Sequence, residues 1–163
     1  MPLKIQEKRN IIKKFTKISN LATSAVIADI TYITANEMTK IRKLSNKKKV
    51  FIKVVKNTLL SKIIKNTQFS CLQKILSGPT IIAYSLDHPG AAARILTNFI
   101  KKNNKIKIKG ACFEGKFFKK QEINKLSSIP TYNESLSRLL LIIKTSSITK
   151  LMLTILAIKN IKK

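Results

Sequence analysis

The sequence predicts an α+β protein, an α–β sandwich on a mixed sheet followed by purely helical segments. Three observations carry that reading. Short β-branched or aromatic runs alternate with amphipathic helical periods as far as Pro130, the pattern of a sheet covered by helices. Beyond Pro130 the period is helical only. And 44% of the 163 residues are hydrophobic, too many for a disordered basic tail, so a core can form in spite of a formal net charge of +26.

Residues 4–21 set Ile5, Ile11, Ile12, Phe15 and Ile18 at helical spacing among lysines, which predicts an amphipathic helix. Residues 25–30 are short, apolar and bounded by polar residues, a buried strand. Thr34-Ala35-Asn36-Glu37 has the spacing of a capping box and starts a second helix towards Lys49. The β-branched and aromatic run 50–55 predicts a second strand. Asn57-Thr58 opens a third helix with Leu59, Leu60, Ile63 and Ile64 on its apolar face. Gly78-Pro79 punctuates, and 80–86 reads as a third strand. Asp87 with Pro89 signals a helix that runs to about Lys102 with Ala92, Ile95, Leu96 and Phe99 inward. Residues 105–113 alternate, with Ile106, Ile108, Gly110 and Cys112 on one face and Lys105, Lys107 and Lys109 on the other, a half-buried strand near an edge. Gly115 turns it, and a short helix spans 121–128. Pro130 separates a domain of 1–130 from a segment of 131–163, where helices are expected over 133–144 and 146–162.

Thirty-three Lys and Arg against seven Asp and Glu call for a polyanionic partner, nucleic acid or anionic membrane. Residues 1–10 are charged where a signal peptide needs an apolar run. The longest apolar stretches, 139–143 and 151–158, fall short of the roughly 18–20 residues of a membrane span. Cys71 and Cys112 stand in neither a metal-binding spacing nor a disulfide framework, so buried free thiols in a reducing cytosol are expected. The acids Glu7, Asp29, Glu37, Asp87, Glu114, Glu122 and Glu134 are spread singly, and His88 sits beside a helix start where a loop or capping role is the expectation. With no phosphate loop, dinucleotide fingerprint or metal spacing, neither an enzyme nor a cofactor is expected.

The stretch 38–86 contains no acidic residue, yet holds Lys40, Arg42, Lys43, Lys47, Lys48, Lys49, Lys53, Lys56, Lys62 and Lys65. No carboxylates are interleaved to make the pairs that stabilise a solvent-facing helix. Lys56-Asn57-Thr58 sits where a strand passes into a helix, so free N–H groups and the helix dipole can meet a phosphate. Sparse aromatics point to RNA recognised by shape and backbone rather than to splayed bases. Past Pro130, Leu136, Leu139, Leu140 and Ile143 make one apolar stripe; Ile148, Leu151, Met152, Ile155 and Ile158 make another, widened by Leu153, Leu156 and Ile161. Such girth must be covered, by the chain's own core or by other chains.

These residues resemble a known family. Lys53-Val54-Val55-Lys56-Asn57-Thr58-Leu59-Leu60, Gly78-Pro79-Thr80, His88-Pro89-Gly90-Ala91-Ala92-Ala93-Arg94, Phe113-Glu114-Gly115 and Ile129-Pro130-Thr131-Tyr132 occur in the order seen in the bacterial large-subunit ribosomal stalk-base proteins, relatives of the P-zero stalk proteins. The resemblance covers nearly the whole chain. It implies an N-terminal α–β plait, ferredoxin-like, that binds the GTPase-associated region of large-subunit rRNA beside ribosomal protein eleven. It implies a C-terminal helix that holds dimers of the acidic stalk protein, which recruit translation factors, and in many bacteria repression of the protein's own messenger. By position, the RNA-facing candidates are Arg42, Lys43, Lys53, Lys56, Asn57 and Thr58, and the stalk-binding candidates are Leu151, Met152, Ile155 and Ile158. Thr31-Tyr32 stands where the family commonly has an Arg-Gly pair, and the chain ends in a basic tail. The resulting expectation is a cytoplasmic ribosomal adaptor without a membrane role. The alternatives are a generic basic nucleic-acid-binding module with self-associating helices and a peripheral protein on anionic membrane.

Overall fold

The structure, a computed structural model, describes residues 5–65, 67–102 and 106–161. The chain forms two compact units that divide between Ile129 and Pro130. The first contains helices α1 (Ile5–Leu21), α2 (Ala35–Lys47), α3 (Asn57–Lys65), α4 (Ala91–Lys102) and α5 (Ile123–Ser128), with 3₁₀ turns at Ser70–Ile75 and Lys120–Glu122. Its sheet consists of β1 (Ser24–Asp29), β2 (Val50–Val54), β3 (Thr80–Ser85), β4 (Lys107–Phe113) and β5 (Lys116–Phe118) in the order β2-β3-β1-β4-β5.

The α+β plait is the expected one, but its sheet is antiparallel at every pairing rather than mixed. The reason lies in how two β-α-β units interleave. β1 and β2 run in the same direction with β3 between them, and β3 and β4 do so with β1 between them. Each parallel pair is therefore split by an antiparallel strand, which alternation along the sequence does not reveal.

Helices cover both faces, so β1 is buried on both. Val26 and Ala28 meet one layer, with Ile41 of α2, Ile95, Leu96 and Phe99 of α4, and Leu126 of α5. Ala25 and Ile27 meet the other, with Phe15 of α1, Leu60 and Ile63 of α3, and Phe69 and Leu72. The capping box that starts α2 is present, with Thr34 Oγ1 accepting from the Glu37 N–H and the Thr34 N–H donating to Glu37 Oε2. α4 begins differently from expectation. Asp87 is held in an exposed ion pair with Lys49 at 2.8 Å, and the Ala92 N–H is served by the buried Ser85 hydroxyl at the end of β3.

β4 departs from simple alternation. Ile27 of β1 faces Gly110 while Ala28 faces Ile108, which leaves Lys109 as the extra residue of a bulge. Ile108 therefore lies in the α2–α4 layer and Cys112 in the α1–α3 layer, where strict alternation puts them together. Lys109 turns inward, bonding the Ser77 carbonyl and pairing with Asp29 at 3.1 Å. After β4, Glu114 and Gly115 both have positive φ (51° and 73°), the backbone of a two-residue hairpin, and return the chain as the short β5.

The His88–Arg94 motif docks α5. An added Cβ at Gly90 would lie 2.7 Å from the Leu126 carbonyl oxygen, so only glycine admits that approach. Arg94 Nε donates to the Ser127 carbonyl at 2.8 Å and its terminal nitrogen to the Ile129 carbonyl at 2.7 Å, satisfying the exposed end of α5.

The second unit is one continuous helical run, α6 (Tyr132–Ile143), a π-helical segment Lys144–Thr149 and α7 (Lys150–Ile161), rather than two separated helices. A Thr131/Glu134 capping box opens it. In the π segment Thr145 Oγ1 donates to the Leu141 carbonyl and Thr149 Oγ1 to the Thr145 carbonyl, the back-bonding that competes with helical ladders and lets the turn widen.

Candidate nucleic-acid interface

β1 and β2 leave the sheet, and β3 and β4 enter it, at one end, where Asp29 lies opposite both Thr80 and Lys107 and Val54 lies opposite Ile81. That end gathers the β1–α2 loop with Thr31 and Tyr32, the β2–α3 corner with Lys56, the Gly78-Pro79 turn and the first residue of β4. The corner is locked by Asn57, whose Nδ2 donates to the Gly78 carbonyl at 2.8 Å and whose Oδ1 accepts from the Thr80 hydroxyl. The β1–α2 loop is tied in by the Thr31 N–H and hydroxyl, both donating to Asp29 Oδ1, at 3.0 and 2.5 Å.

Electrostatically, the carboxylate that closes β1 is neutralised within the fold. The Thr31 hydroxyl and the Lys109 ammonium hold Asp29 below its usual 3.8, so it stays ionised and Lys109 neutralises it. Lys53, Lys56 and Lys107 are exposed, and among the described residues they make no ion pair. Positive charge is therefore left facing solvent.

The expected RNA-facing residues do not form a single cluster. Lys53, Lys56, Asn57 and Thr58 come together at this sheet end, Lys53 on the edge strand β2. Arg42 and Lys43 are exposed in the second half of α2, towards the opposite end where β2 begins. The acid-free stretch does not sit on one face either. It wraps the β2 edge, with α2 in one layer and α3 in the other. Asn57 is half-buried and its side-chain amide is occupied, so it positions the corner. Lys107 joins the group although the sequence reading placed it only on an outward strand face. Lys62 and Lys65 extend it along α3, on the helical stripe that starts at Thr58 and lines a groove with Gln73 and Leu76. The available signal was helical spacing, Lys62 four residues after Thr58 and Lys65 three after Lys62.

In the second unit Leu151, Met152, Ile155 and Ile158 are all exposed, as are Leu139, Leu140 and Ile143 of α6. Apolar residues surround α7 on every side. Among the described residues no helix is long and apolar enough to cross a membrane, and no three His, Cys, Asp or Glu side chains are grouped to hold a metal.

A basic plait with exposed lysines at one sheet end, followed by an exposed apolar helical run, is the make-up of a protein that meets a polyanion and other chains. The comparisons give the family. The family described as ribosomal protein L10 matches residues 3–101. The large ribosomal subunit protein uL10 of Buchnera aphidicola subsp. Schizaphis graminum is 48% identical over 162 residues, 99% of this chain and 98% of its own. Its counterparts in Erwinia tasmaniensis and Klebsiella pneumoniae subsp. pneumoniae are each 41% identical over 162 residues, 99% of this chain and 97% and 98% of theirs. The chain belongs to the L10 family of ribosomal proteins, uL10 of the large subunit.

Proposed function

We propose that this ribosomal protein is a two-ended adaptor without catalytic activity, working in the cytoplasm. Residues 1–130 bind the GTPase-associated region of large-subunit rRNA next to ribosomal protein eleven. Residues 131–163 hold dimers of the acidic stalk protein that recruit translation factors. The observation that carries the RNA half is the sheet end shared by Lys53, Lys56 and Lys107, which make no ion pair among the described residues, since phosphate contacts call for unpaired cations. Thr58 and the first N–H groups of α3 stand beside Lys56, where the helix dipole favours a phosphate. Arg42 and Lys43 reach a second stretch of backbone from α2, and Asn57 holds the corner in place. The exposed Leu151, Met152, Ile155 and Ile158 support the other half, because an apolar helix surface of this extent is unstable in water until other chains bury it. The lysines interspersed at 144, 150 and 159 suit an acidic partner.

One experiment tests both ends. The full chain, its Lys53→Gln/Lys56→Gln variant and a chain truncated after Thr145 are titrated with a transcript of the GTPase-associated region and with the cell's own stalk protein. The double variant should flatten the log–log salt dependence of RNA binding by about 0.7–0.9 per lost contact and leave stalk binding intact. The truncated chain should keep its RNA affinity and lose the stalk dimers. An unchanged salt slope removes this sheet end from the interface, and dimers retained by the truncated chain place their seat elsewhere.

A further inference from the structure

Cys71 and Cys112, far apart in sequence, lie in the same layer of the fold. The bulge at Lys109 turns Cys112 of β4 towards Phe69 and Leu72, and Cys71, in the 3₁₀ turn Ser70–Ile75, packs against that cluster. Their hydrogen bonds cross. The Cys71 thiol donates to the carbonyl of Gly115, three residues after Cys112, at 2.9 Å. The Cys112 thiol donates to the carbonyl of Gln68, three residues before Cys71, at 3.8 Å. Each sulfur reaches into the segment that carries the other, which sets the two side by side. Both are free thiols, Cys71 half-buried and Cys112 fully buried.

From this reciprocal geometry we propose that Cys71 and Cys112 are a redox modification site, a dithiol that a small-molecule disulfide converts to an intramolecular disulfide. Accessibility sets the order. The Cys71 thiolate attacks one sulfur of the reagent, forming a mixed disulfide and expelling the first reagent thiolate. The Cys112 thiolate then attacks the Cys71 sulfur and expels the second. The protein's two S–H bonds become one S–S bond, the two protons pass to the departing thiolates, and the reagent is reduced to two thiols. Burial, and next the neighbouring Cys71 thiol, push Cys112 up to about 12, so the second step is slow near neutrality. The bond would clip the Ser70–Ile75 turn, which carries Gln73 of the groove beside Thr58, directly to the sheet.

Intact-mass spectrometry of the full chain incubated with oxidised glutathione reads the outcome. The expected product is lighter than the reduced protein by two hydrogen atoms, yields a Cys71–Cys112 linked peptide and reverts with dithiothreitol. Its formation from the glutathione adduct should accelerate about tenfold per pH unit between neutrality and pH 9, following the Cys112 thiolate fraction. Cys112→Ala should stop at the adduct on Cys71, and Cys71→Ala should give neither species. Wild-type protein that stays reduced, halts at the adduct or cross-links to a second copy overturns the proposal. That result does not depend on either variant folding.

Discussion

Gly90 and Gly110 are both glycine for want of room, but what crowds them differs. A Cβ at Gly110 would meet the ring of Phe117 at 2.6 Å and Ile75 Cδ1 at 3.1 Å, and the partly exposed Phe117 ring can swing aside. At Gly90 the obstacle is the backbone oxygen of Leu126, and relief means moving all of α5. We therefore expect Gly90→Ala to destabilise by about 3 kcal/mol and Gly110→Ala by about 1 kcal/mol, read from urea unfolding of the purified protein. Equal losses would mean α5 is softer than this packing implies. Asp29 gives a prediction in pH. Its carboxyl is held low first by the Thr31 hydroxyl and then by Lys109. A depressed carboxylate contributes stability above its unfolded value of about 3.9, and that stability is lost as pH falls through the folded value. Asp29→Asn should therefore lower stability at neutral pH and flatten the acid limb of the stability curve; an acid limb of unaltered slope would show that the pair with Lys109 carries no linkage. Apart from Thr31, two residues from Asp29, none of these neighbours was legible along the chain. Lys109 reads as one more outward lysine until the bulge turns it inward.

At the scale of elements, local chemistry was the better guide. Thr34 and Glu37 specify the start of α2 because both partners of the box lie within one turn, and neither depends on the rest of the fold. Thr34→Ala should cost about 1 kcal/mol in thermal or urea unfolding, and Thr34→Asn should restore most of it; a neutral Thr34→Ala would show α2 to be held by packing alone. Elements whose signals are non-local were misread. Asp87 has the chemistry of a helix start but meets Lys49 from the α2–β2 connection, and a serine from β3 serves the helix instead. The three-residue β5 carries too little pattern to be read as a strand, and exists because Glu114 and Gly115 turn it back onto β4. In the second unit the helical period was plain, whereas its continuity through 144–149 was not, since the Ser/Thr run there suggests a break and produces a π-helical segment.

For the molecule as a whole, two groups in the α1–α3 layer link stability to alkaline pH. Burial pushes Tyr84 from 10.0 up to about 12, opposed only by the nearby Ser19 hydroxyl, and pushes Cys112 from 9.0 to about 12. Groups whose folded values are raised leave stability intact below their unfolded values and withdraw it as pH climbs towards the folded ones. The α–β unit should therefore keep its melting temperature up to about pH 9 and lose it steadily towards pH 12. Tyr84→Phe combined with Cys112→Ala should flatten that decline; a decline that persists in the double variant would point to repulsion among other groups. Tyr84→Phe alone should not destabilise at neutral pH, because the buried hydroxyl has no partner of hydrogen-bonding geometry among the described residues.

What the sequence determined by itself is whatever neighbours along the chain decide: the order of strands and helices, the capping boxes, the cationic excess and the apolar girth of the last helices. The ordered motifs from Lys53 to Tyr132 also carried the family. Tertiary structure alone decided which strands pair, and so made the sheet antiparallel by seating β3 between β1 and β2. It decided that Lys53, Lys56 and Lys107 share one end while Arg42 and Lys43 do not, and that two distant cysteines lie in one layer. The physical reason is common to all of these. Capping, periodicity and charge act within a turn or two of backbone, whereas strand order and the single-residue bulge at Lys109 are settled by which apolar faces can be buried together, a condition on the whole chain at once.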